Sequence, residues 1–195
     1  VIAHETPVFE SDNLSVRAFP LLHRVPCLGY RFQEKQRRRK FRVEMAQSLG
    51  VPTEYYHLLK HENAITLPDG RRIVPDDVLG NAPRPMAMAY CSDTAPFPEL
   101  IPHIQGVDLL FHEATFIAAD AARATETLHS TAPQAANAAA EARATRLLLG
   151  HFSARYIDLA PLLAEARAVF PATELAEEGR IYPVDPNAPW DGQQG

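Results

Sequence analysis

The feature that most constrains the fold is a regular alternation of strand-like and helix-like segments in the second half of the chain. After Pro85 the segments MAMAYCSD, VDLLFHEATF and TRLLLGHFS are typical of buried strands, whereas PELIPHI, PQAANAAAEARA and DLAPLLAEARAVF are typical of helices. This order predicts an α/β domain in which helices cover a sheet. Ser130 or Thr131 is expected to cap the helix that begins near Pro133, and Asp158 to cap the last helix.

The length and composition indicate the broad class of protein. A chain of 195 residues with 46% hydrophobic content is long enough for one sizeable core and too short for two. No segment approaches the ~18 apolar residues of a membrane-spanning helix, so we expect no membrane association. Two cysteines, Cys27 and Cys91, are too few for a disulfide framework and fit a cytoplasmic protein. The opening residues are typical of the middle of a domain, so we expect a piece of a longer protein.

A basic segment precedes the α/β region. Residues 32–42 contain six basic residues and one acidic residue, although the whole chain has a formal net charge of -5. Such a run is compatible with a solvated surface and with an anion-binding surface. The sequence after it predicts a short helix that stops at Gly50, a second helix near 54–60, and a hairpin that turns at Asp69 and Gly70. We interpret residues 32–82 as an inserted helical arm.

Polar side chains suited to metal or proton chemistry follow the predicted strands. The carboxyl ends of strands are where sites collect in open α/β sheets. Imidazole nitrogens and carboxylate oxygens are usual ligands of hydrolytic zinc, and a carboxylate can bridge two metal ions. A single histidine or carboxylate is more often an ordinary surface or core residue than a metal ligand. Their joint placement after successive strands nevertheless predicts a metal or catalytic site. The candidates are His23, Asp93, His112, Glu113, His129 and His151.

A rival arrangement lies in the predicted arm. His57 and His61 in HLLKH are four residues apart, so they would share a helix face and could hold one metal ion. The pair has no third ligand nearby in the sequence and no HExxH motif. The sequence also contains no nucleophile elbow, phosphate loop, CxxC pair or dinucleotide-binding glycine motif.

The order of several short blocks resembles one known family. HRVPCLGYRF, YCSDT, FHEATF, LHSTAPQAA and GHFSARY are similar to the C-terminal part of ribonuclease Z enzymes, tRNA 3′ processing endonucleases of the metallo-β-lactamase superfamily, from about Val16 to Glu178. The resemblance implies the C-terminal portion of an αββα sandwich across residues 1–195, with the arm inserted at 32–82 and a disordered tail at 183–195.

The resemblance also implies roles for individual residues. His23, Asp93 and His151 match metal ligands, with Asp93 as the bridge between two zinc ions (Zn2+). Glu113 and His129 match a catalytic pair near the leaving group, where a protonated imidazole could donate to the departing 3′ oxygen. The HxHxDH motif, which supplies most of the family's zinc ligands and its proton acceptor, does not occur in these 195 residues. We therefore expect this chain alone to bind zinc weakly and to cleave nothing.

The implied substrate is precursor tRNA, gripped by the arm, and the family's complete enzymes are usually homodimers. The arm reads GVPTEYY where many bacterial members have a Gly-Pro turn, so its detailed geometry departs from the family pattern. Two alternatives remain open: a noncatalytic tRNA-binding fragment, and a metallo-β-lactamase-like phosphodiesterase of another substrate. The residues expected to bind substrate are Arg31, Lys35, Arg37, Arg38, Arg39, Lys40, Arg42 and Arg155.

Overall fold

The chain divides into two structural units, and residues 4–188 are those that the computed structural model describes. One unit contains the chain up to Lys35 and again from Met86, and the other contains Gln36–Pro85. Within residues 4–188 no helix is long and apolar enough to cross a membrane.

The strands of the described residues are β1 (Thr6–Glu10), β2 (Leu14–Leu21), β3 (Cys27–Glu34), β4 (Ile65–Thr66), β5 (Arg72–Ile73), β6 (Ala87–Cys91), β7 (Leu109–Glu113), β8 (Arg146–Gly150) and β9 (Thr173–Leu175). The helices are α1 (Val43–Ser48), α2 (Tyr56–Lys60), α3 (Pro75–Val78), α4 (Leu100–Ile104), α5 (Ala121–Thr127), α6 (Ala132–Glu141) and α7 (Ala160–Val169).

A seven-stranded mixed sheet forms the centre of the first unit. Its strand order is β1-β2-β3-β6-β7-β8-β9. The strands from β1 to β6 pair antiparallel, and those from β6 to β9 pair parallel. Parallel neighbours need crossover connections, and here α4, α6 and α7 lie in the connections after β6, β7 and β8. The predicted α/β alternation is confirmed.

One face of this sheet packs against helices to form the main core. Ala89 of β6, Leu110 of β7 and Leu147 of β8 are fully buried, in one cluster with residues of α4, α6 and α7. Helix α6 contacts this layer through small side chains that let its backbone approach closely. Its fully buried alanines are Ala132, Ala135, Ala136 and Ala139.

The opposite face of the sheet is also apolar. The rings of Tyr90 and Phe111 stack at 4.6 Å between centroids, and the strand register places Met88 and Leu148 on the same face. Tyr90 is nevertheless 38% exposed. This is the surface that the sandwich interpretation expects a second sheet to cover.

The second unit, residues 36–85, has its own small core. Helices α1, α2 and α3 and the β4-β5 hairpin bury Ala46, Leu59 and Val78 completely. The hairpin turns where the sequence predicts, with Gly70 at φ +86° and the Asp69 carboxylate accepting a hydrogen bond from the backbone N–H of Arg71. Residues 32–34, included in the predicted arm, are the end of β3, because they pair with β2 and β6.

The helix caps follow the sequence closely. Thr131 caps α6 in a reciprocal arrangement with Gln134, whereas the Ser130 hydroxyl donates to the carbonyl of Thr94 instead. The Asp158 carboxylate accepts from the backbone N–H of Ala160 at 2.9 Å, at the start of α7. Helix α5 was not predicted, because the segment AARATET has no apolar stripe.

The end of the chain includes the predicted disordered tail, 183–195. Residues 183–188 are described, and the backbone carbonyls of Asp185 and Ala188 accept hydrogen bonds from the guanidinium of Arg146, a nearly buried residue at the start of β8. Residues 189–195 lie outside the described part of the chain.

Gly29 on β3 should be essential to the packing of the sheet against its helices. A Cβ added at Gly29 would lie 2.2 Å from the ring of Phe19, which is fully buried, so the ring would have to shift within a packed core. We expect Gly29→Ala to lower the free energy of unfolding by about 1–3 kcal/mol, as overpacking typically does. Gly80→Ala is the control, because its Cβ would meet only ordinary contacts at 3.5 Å. Equal urea midpoints for the two variants would contradict this account.

Candidate active site

The candidate side chains meet at one edge of the sheet. Strands β6, β7 and β8 are parallel, so Asp93, Glu113 and His151 lie at or just beyond neighbouring carboxyl ends. Strand β2 is antiparallel to β3, which is antiparallel to β6, so β2 ends at the same edge and brings His23 there. His129 reaches this edge from the loop between α5 and α6. Its ring centroid lies 4.9 Å from that of His23 and 5.3 Å from that of His151.

The buried Glu113 carboxylate connects the loops at this edge. Its Oε1 accepts hydrogen bonds from the backbone N–H of Thr94 and Ser130 and from Nδ1 of His129 at 2.8 Å. Its Oε2 accepts from the backbone N–H and the hydroxyl of Thr115. Every partner is a donor, so the environment suits the ionised carboxylate. Glu113 is fully buried, and its oxygens are already occupied by these bonds, so it orients other groups rather than offering a free metal ligand.

Thr115 is a site residue that the sequence interpretation missed. Its hydroxyl donates to Glu113 Oε2 at 2.7 Å and therefore accepts from Nδ1 of His151 at 2.9 Å. His151 adopts a left-handed backbone conformation, with φ +57°, which turns the chain sharply at the end of β8. Backbone outliers of this kind collect at functional sites. The FHEAT block contains Thr115, but no periodicity distinguishes its hydroxyl from an ordinary one.

His23 is oriented by the backbone. Its Nδ1 lies 2.9 Å from the carbonyl oxygen of Leu128, so Nδ1 carries the proton and donates it. Leu128 is the capping residue directly after α5, and its backbone is left-handed there, with φ +57°. Histidines that bind metal commonly donate their other ring N–H to a carbonyl or carboxylate in this way.

The three histidines have a common hydrogen-bonding pattern. Nδ1 of His23, His129 and His151 each donates to an oxygen, which leaves Nε2 of each ring able to bind a metal ion or to take up a proton. Potential ligand atoms lie within 4.8 Å of one another in two groups, His23 with Asp93 and His129, and Glu113 with His129 and His151. Asp93 Oδ1 lies 3.5 Å from Nδ1 of His151, so the two groups adjoin. The donor set of imidazoles and a carboxylate fits zinc.

Arg155 lies beside this cluster. Its guanidinium is 5.2 Å from the ring centroid of Phe116 and 3.6 Å from the Asp120 carboxylate. The Tyr156 hydroxyl also donates to Asp120, and burial, followed by this hydrogen bond, raises the pKa of the tyrosine. Arg155 remains 45% exposed, so it is held at the site and is accessible to an anion.

Comparison with known proteins identifies the relatives of this chain. A family model described as a beta-lactamase superfamily domain matches residues 69–152. A ribonuclease Z of Parabacteroides distasonis is 49% identical over 172 residues, which are 88% of this chain and 57% of that protein. A ribonuclease Z of Salinibacter ruber is 50% identical over 92% of this chain and 56% of that protein. This chain belongs to the ribonuclease Z family. The chain spans little more than half the length of the curated relatives it matches.

Solved structures support the metallo-β-lactamase fold of this ribonuclease Z family member. The metallo-β-lactamase fold protein YhfI of Bacillus subtilis matches with a TM-score of 0.59 at 20% identity, over 91% of this chain and 52% of that one. The short form of human tRNase Z matches with a TM-score of 0.56 at 23% identity, over 93% of this chain and 47% of that one. The α/β metallo-β-lactamase-like fold is confirmed.

Two histidine candidates from the sequence lie elsewhere in the chain. His112 is adjacent to Glu113, but successive residues of a strand point to opposite faces, so its ring is buried on the helix side. The pair in the arm is the other candidate: Nδ1 of His57 and Nδ1 of His61 each lie 2.7 Å from a backbone carbonyl in their own helical segment. Within residues 4–188, neither His112 nor the arm pair belongs to a group of three or more possible metal ligands.

The basic residues fall into two classes. Arg31, Lys35 and Arg39 are engaged within their own units: Arg31 with the carbonyls of His103 and Gln105, Lys35 with Glu10, and Arg39 with carboxylates and a carbonyl of the arm. Burial lowers the pKa of Arg31. The remaining arm residues on the predicted substrate-binding surface are exposed, and one of them, Arg42, also donates to the carbonyl oxygen of Asp77. They are Arg37, Arg38, Lys40 and Arg42.

Replacing Glu113 with glutamine should destabilise the protein. Either orientation of the amide would direct its NH2 group at a backbone N–H that now donates to a carboxylate oxygen. We expect a loss of about 1–3 kcal/mol in the free energy of unfolding, because buried donors are left unsatisfied. Glu99→Gln, at an exposed position, is the control. Chemical denaturation that showed equal stability for the two variants would mean that Glu113 is not the connecting group.

Proposed function

We propose that the complete protein containing this chain is a zinc-dependent endoribonuclease that removes 3′ trailers from tRNA precursors. The observation that carries the proposal is the meeting of Asp93 and His151 with the Glu113–His129 pair at one sheet edge in a member of the ribonuclease Z family. The names of the relatives, ribonuclease Z, and of the human structural neighbour, tRNase Z, support RNA as the substrate class.

The metal ligands supplied by this chain are proposed to be His23, Asp93 and His151. When bound, hydrolytic zinc supplies Lewis acidity and a nucleophilic water at neutral pH. Asp93 has two oxygens and lies close to both His23 and His151, so it is the residue suited to bridging. The relatives' longer chains leave room for further ligands beyond these residues.

His129 is proposed to protonate the departing 3′ oxygen. The hydrogen bond from its Nδ1–H to the Glu113 carboxylate fixes the ring, so that Nε2 is the nitrogen that can carry and release a proton in the site. Arg155 is proposed to bind a substrate phosphate, because its planar guanidinium is oriented by Phe116 and Asp120 yet partly exposed. Homodimerisation and a cytoplasmic location, both suggested at the sequence level, stay predictions.

Two substitutions should separate metal binding from proton transfer. We expect Asp93→Asn to abolish cleavage and reduce the zinc content of the complete protein, because it removes a charged ligand. His129→Ala should reduce the cleavage rate about 10²–10⁴-fold with zinc content unchanged, because it removes only the acid. Single-turnover cleavage of a 3′-extended tRNA and elemental analysis measure both. Full cleavage by Asp93→Asn would exclude Asp93 from the metal site.

The arm is proposed to bind the body of the tRNA through its exposed cations. Arg38 and Lys40 are the suitable pair to test, because both are exposed, whereas Arg39 is held by Glu62 and Asp76. Each phosphate that the protein no longer neutralises should reduce the slope of log affinity against log salt by about 0.9. The double alanine variant should therefore show a shallower slope, and the charge-preserving Arg38→Lys with Lys40→Arg should keep the original one. An unchanged slope in the alanine variant would remove this pair from the RNA interface.

A further inference from the structure

The Thr115 hydroxyl lies between the Glu113–His129 pair and the proposed metal ligand His151. Its oxygen is 2.7 Å from Oε2 of Glu113, 3.2 Å from Nδ1 of His129 and 2.9 Å from Nδ1 of His151. Thr115 is only 7% exposed, so solvent has little access to these bonds. One buried hydroxyl therefore contacts both the proposed acid and a residue proposed to bind zinc.

The distances determine where the single proton of this hydroxyl goes. It can be donated to Oε2 of Glu113 at 2.7 Å or to the backbone carbonyl oxygen of His151 at 3.1 Å. The carboxylate oxygen is nearer and charged, so it accepts the proton. Nδ1 of His129 donates to the other carboxylate oxygen, Oε1, at 2.8 Å. The hydroxyl oxygen is therefore left to accept a proton from Nδ1 of His151.

A second acceptor competes for the same proton of His151. Asp93 Oδ1 lies 3.5 Å from Nδ1 of His151, compared with 2.9 Å for the Thr115 hydroxyl. A hydrogen bond to Asp93 would join two proposed metal ligands to each other. The bond to Thr115 instead leaves the Asp93 carboxylate and Nε2 of His151 both available to a metal ion.

The His151 ring depends on this bond for its orientation. His151 directly follows β8, its backbone is left-handed with φ +57°, and its side chain is 50% exposed. Neither a regular strand nor surrounding packing therefore fixes the imidazole. Hydrogen bonds to the second nitrogen of a metal-binding histidine orient its ring and determine which nitrogen carries the proton.

We propose that Thr115 is a positioning residue of the metal site: its hydroxyl, held by Glu113, accepts the Nδ1 proton of His151 and so reserves Nε2 of that ring and the Asp93 carboxylate for zinc. The Glu113 carboxylate also orients His129, so one group connects proton donation with metal binding. This inference rests on the proposed function, and it adds to the site a residue that is not itself a ligand.

Two substitutions at Thr115 test the role of the hydroxyl in the complete protein. Thr115→Val keeps the shape of the side chain and the backbone N–H that donates to Glu113, but it removes the hydroxyl. We expect it to weaken zinc binding about 10–100-fold, as the loss of a partner of a metal-binding histidine typically does. Thr115→Ser retains the hydroxyl and should bind zinc as tightly as the parent does. Competition with a chromophoric chelator measures these affinities.

Thr173→Val is the matched control. Thr173 is also buried, and its hydroxyl donates to the backbone carbonyl oxygen of Phe170. It begins β9, which runs parallel to β8, so it lies at the edge of the sheet opposite the site. This variant should lose stability in chemical denaturation of the metal-free protein, because a carbonyl is left unsatisfied, but it should keep the parental zinc affinity.

A further measurement needs no change at Thr115 and no metal. In the metal-free complete protein with isotope-labelled histidines, two-bond NMR correlations report which ring nitrogen carries the proton. We expect the proton of His151 on Nδ1, with its signal assigned by its absence from His151→Gln. A proton on Nε2 would overturn the proposal, because Thr115 would then have nothing to accept.

The zinc measurements separate this proposal from the proposed function. Equal zinc affinity for Thr115→Val and the parent would overturn the positioning role, while zinc-dependent cleavage by the parent would leave the proposed function intact. Equal losses in Thr115→Val and Thr173→Val would assign the effect to buried packing and would also overturn it. A parent protein that bound no zinc would contradict both this role and the proposed function.

Discussion

The buried Glu113 carboxylate is the interaction on which the site depends. It joins the loop after β6, the turn after β7 and the loop before α6 through donors at Thr94, Thr115 and Ser130. A fully buried carboxylate is tolerated only when such donors replace its hydration. The same group orients His129, so the bonds that stabilise the loops also determine that Nδ1 of this histidine donates to Glu113 and that Nε2 is the nitrogen left available at the sheet edge.

The direction of the strands explains why the Glu113 carboxylate can bond to several loops at once. Because β2, β6, β7 and β8 all run the same way, their carboxyl ends meet at one edge of the sheet. The alanine-rich α6 packs close to the sheet and brings His129, just before its start, to that edge. Packing against the core therefore positions a side chain that takes no part in the core.

The two faces of the sheet have different roles. One is covered by helices of this chain, and the other presents the Tyr90–Phe111 stack partly exposed. An exposed aromatic face of this kind is compatible with a chain that spans only part of its relatives' length, because a sandwich needs a second sheet.

The sequence by itself determined the α/β alternation, a helix cap at Ser130 or Thr131, the hairpin turn at Gly70 and the residue types of the site, because each follows from local propensity and periodicity. Family resemblance added roles for Asp93 and His129. Only the tertiary structure decided which of His112 and Glu113 faces the site, that Thr115 joins Glu113 to His151, and that Arg39 is held within the arm while Arg38 is exposed. These outcomes depend on strand register, loop conformation and long-range ion pairs, which bring together residues distant in the chain and leave no local pattern in the sequence.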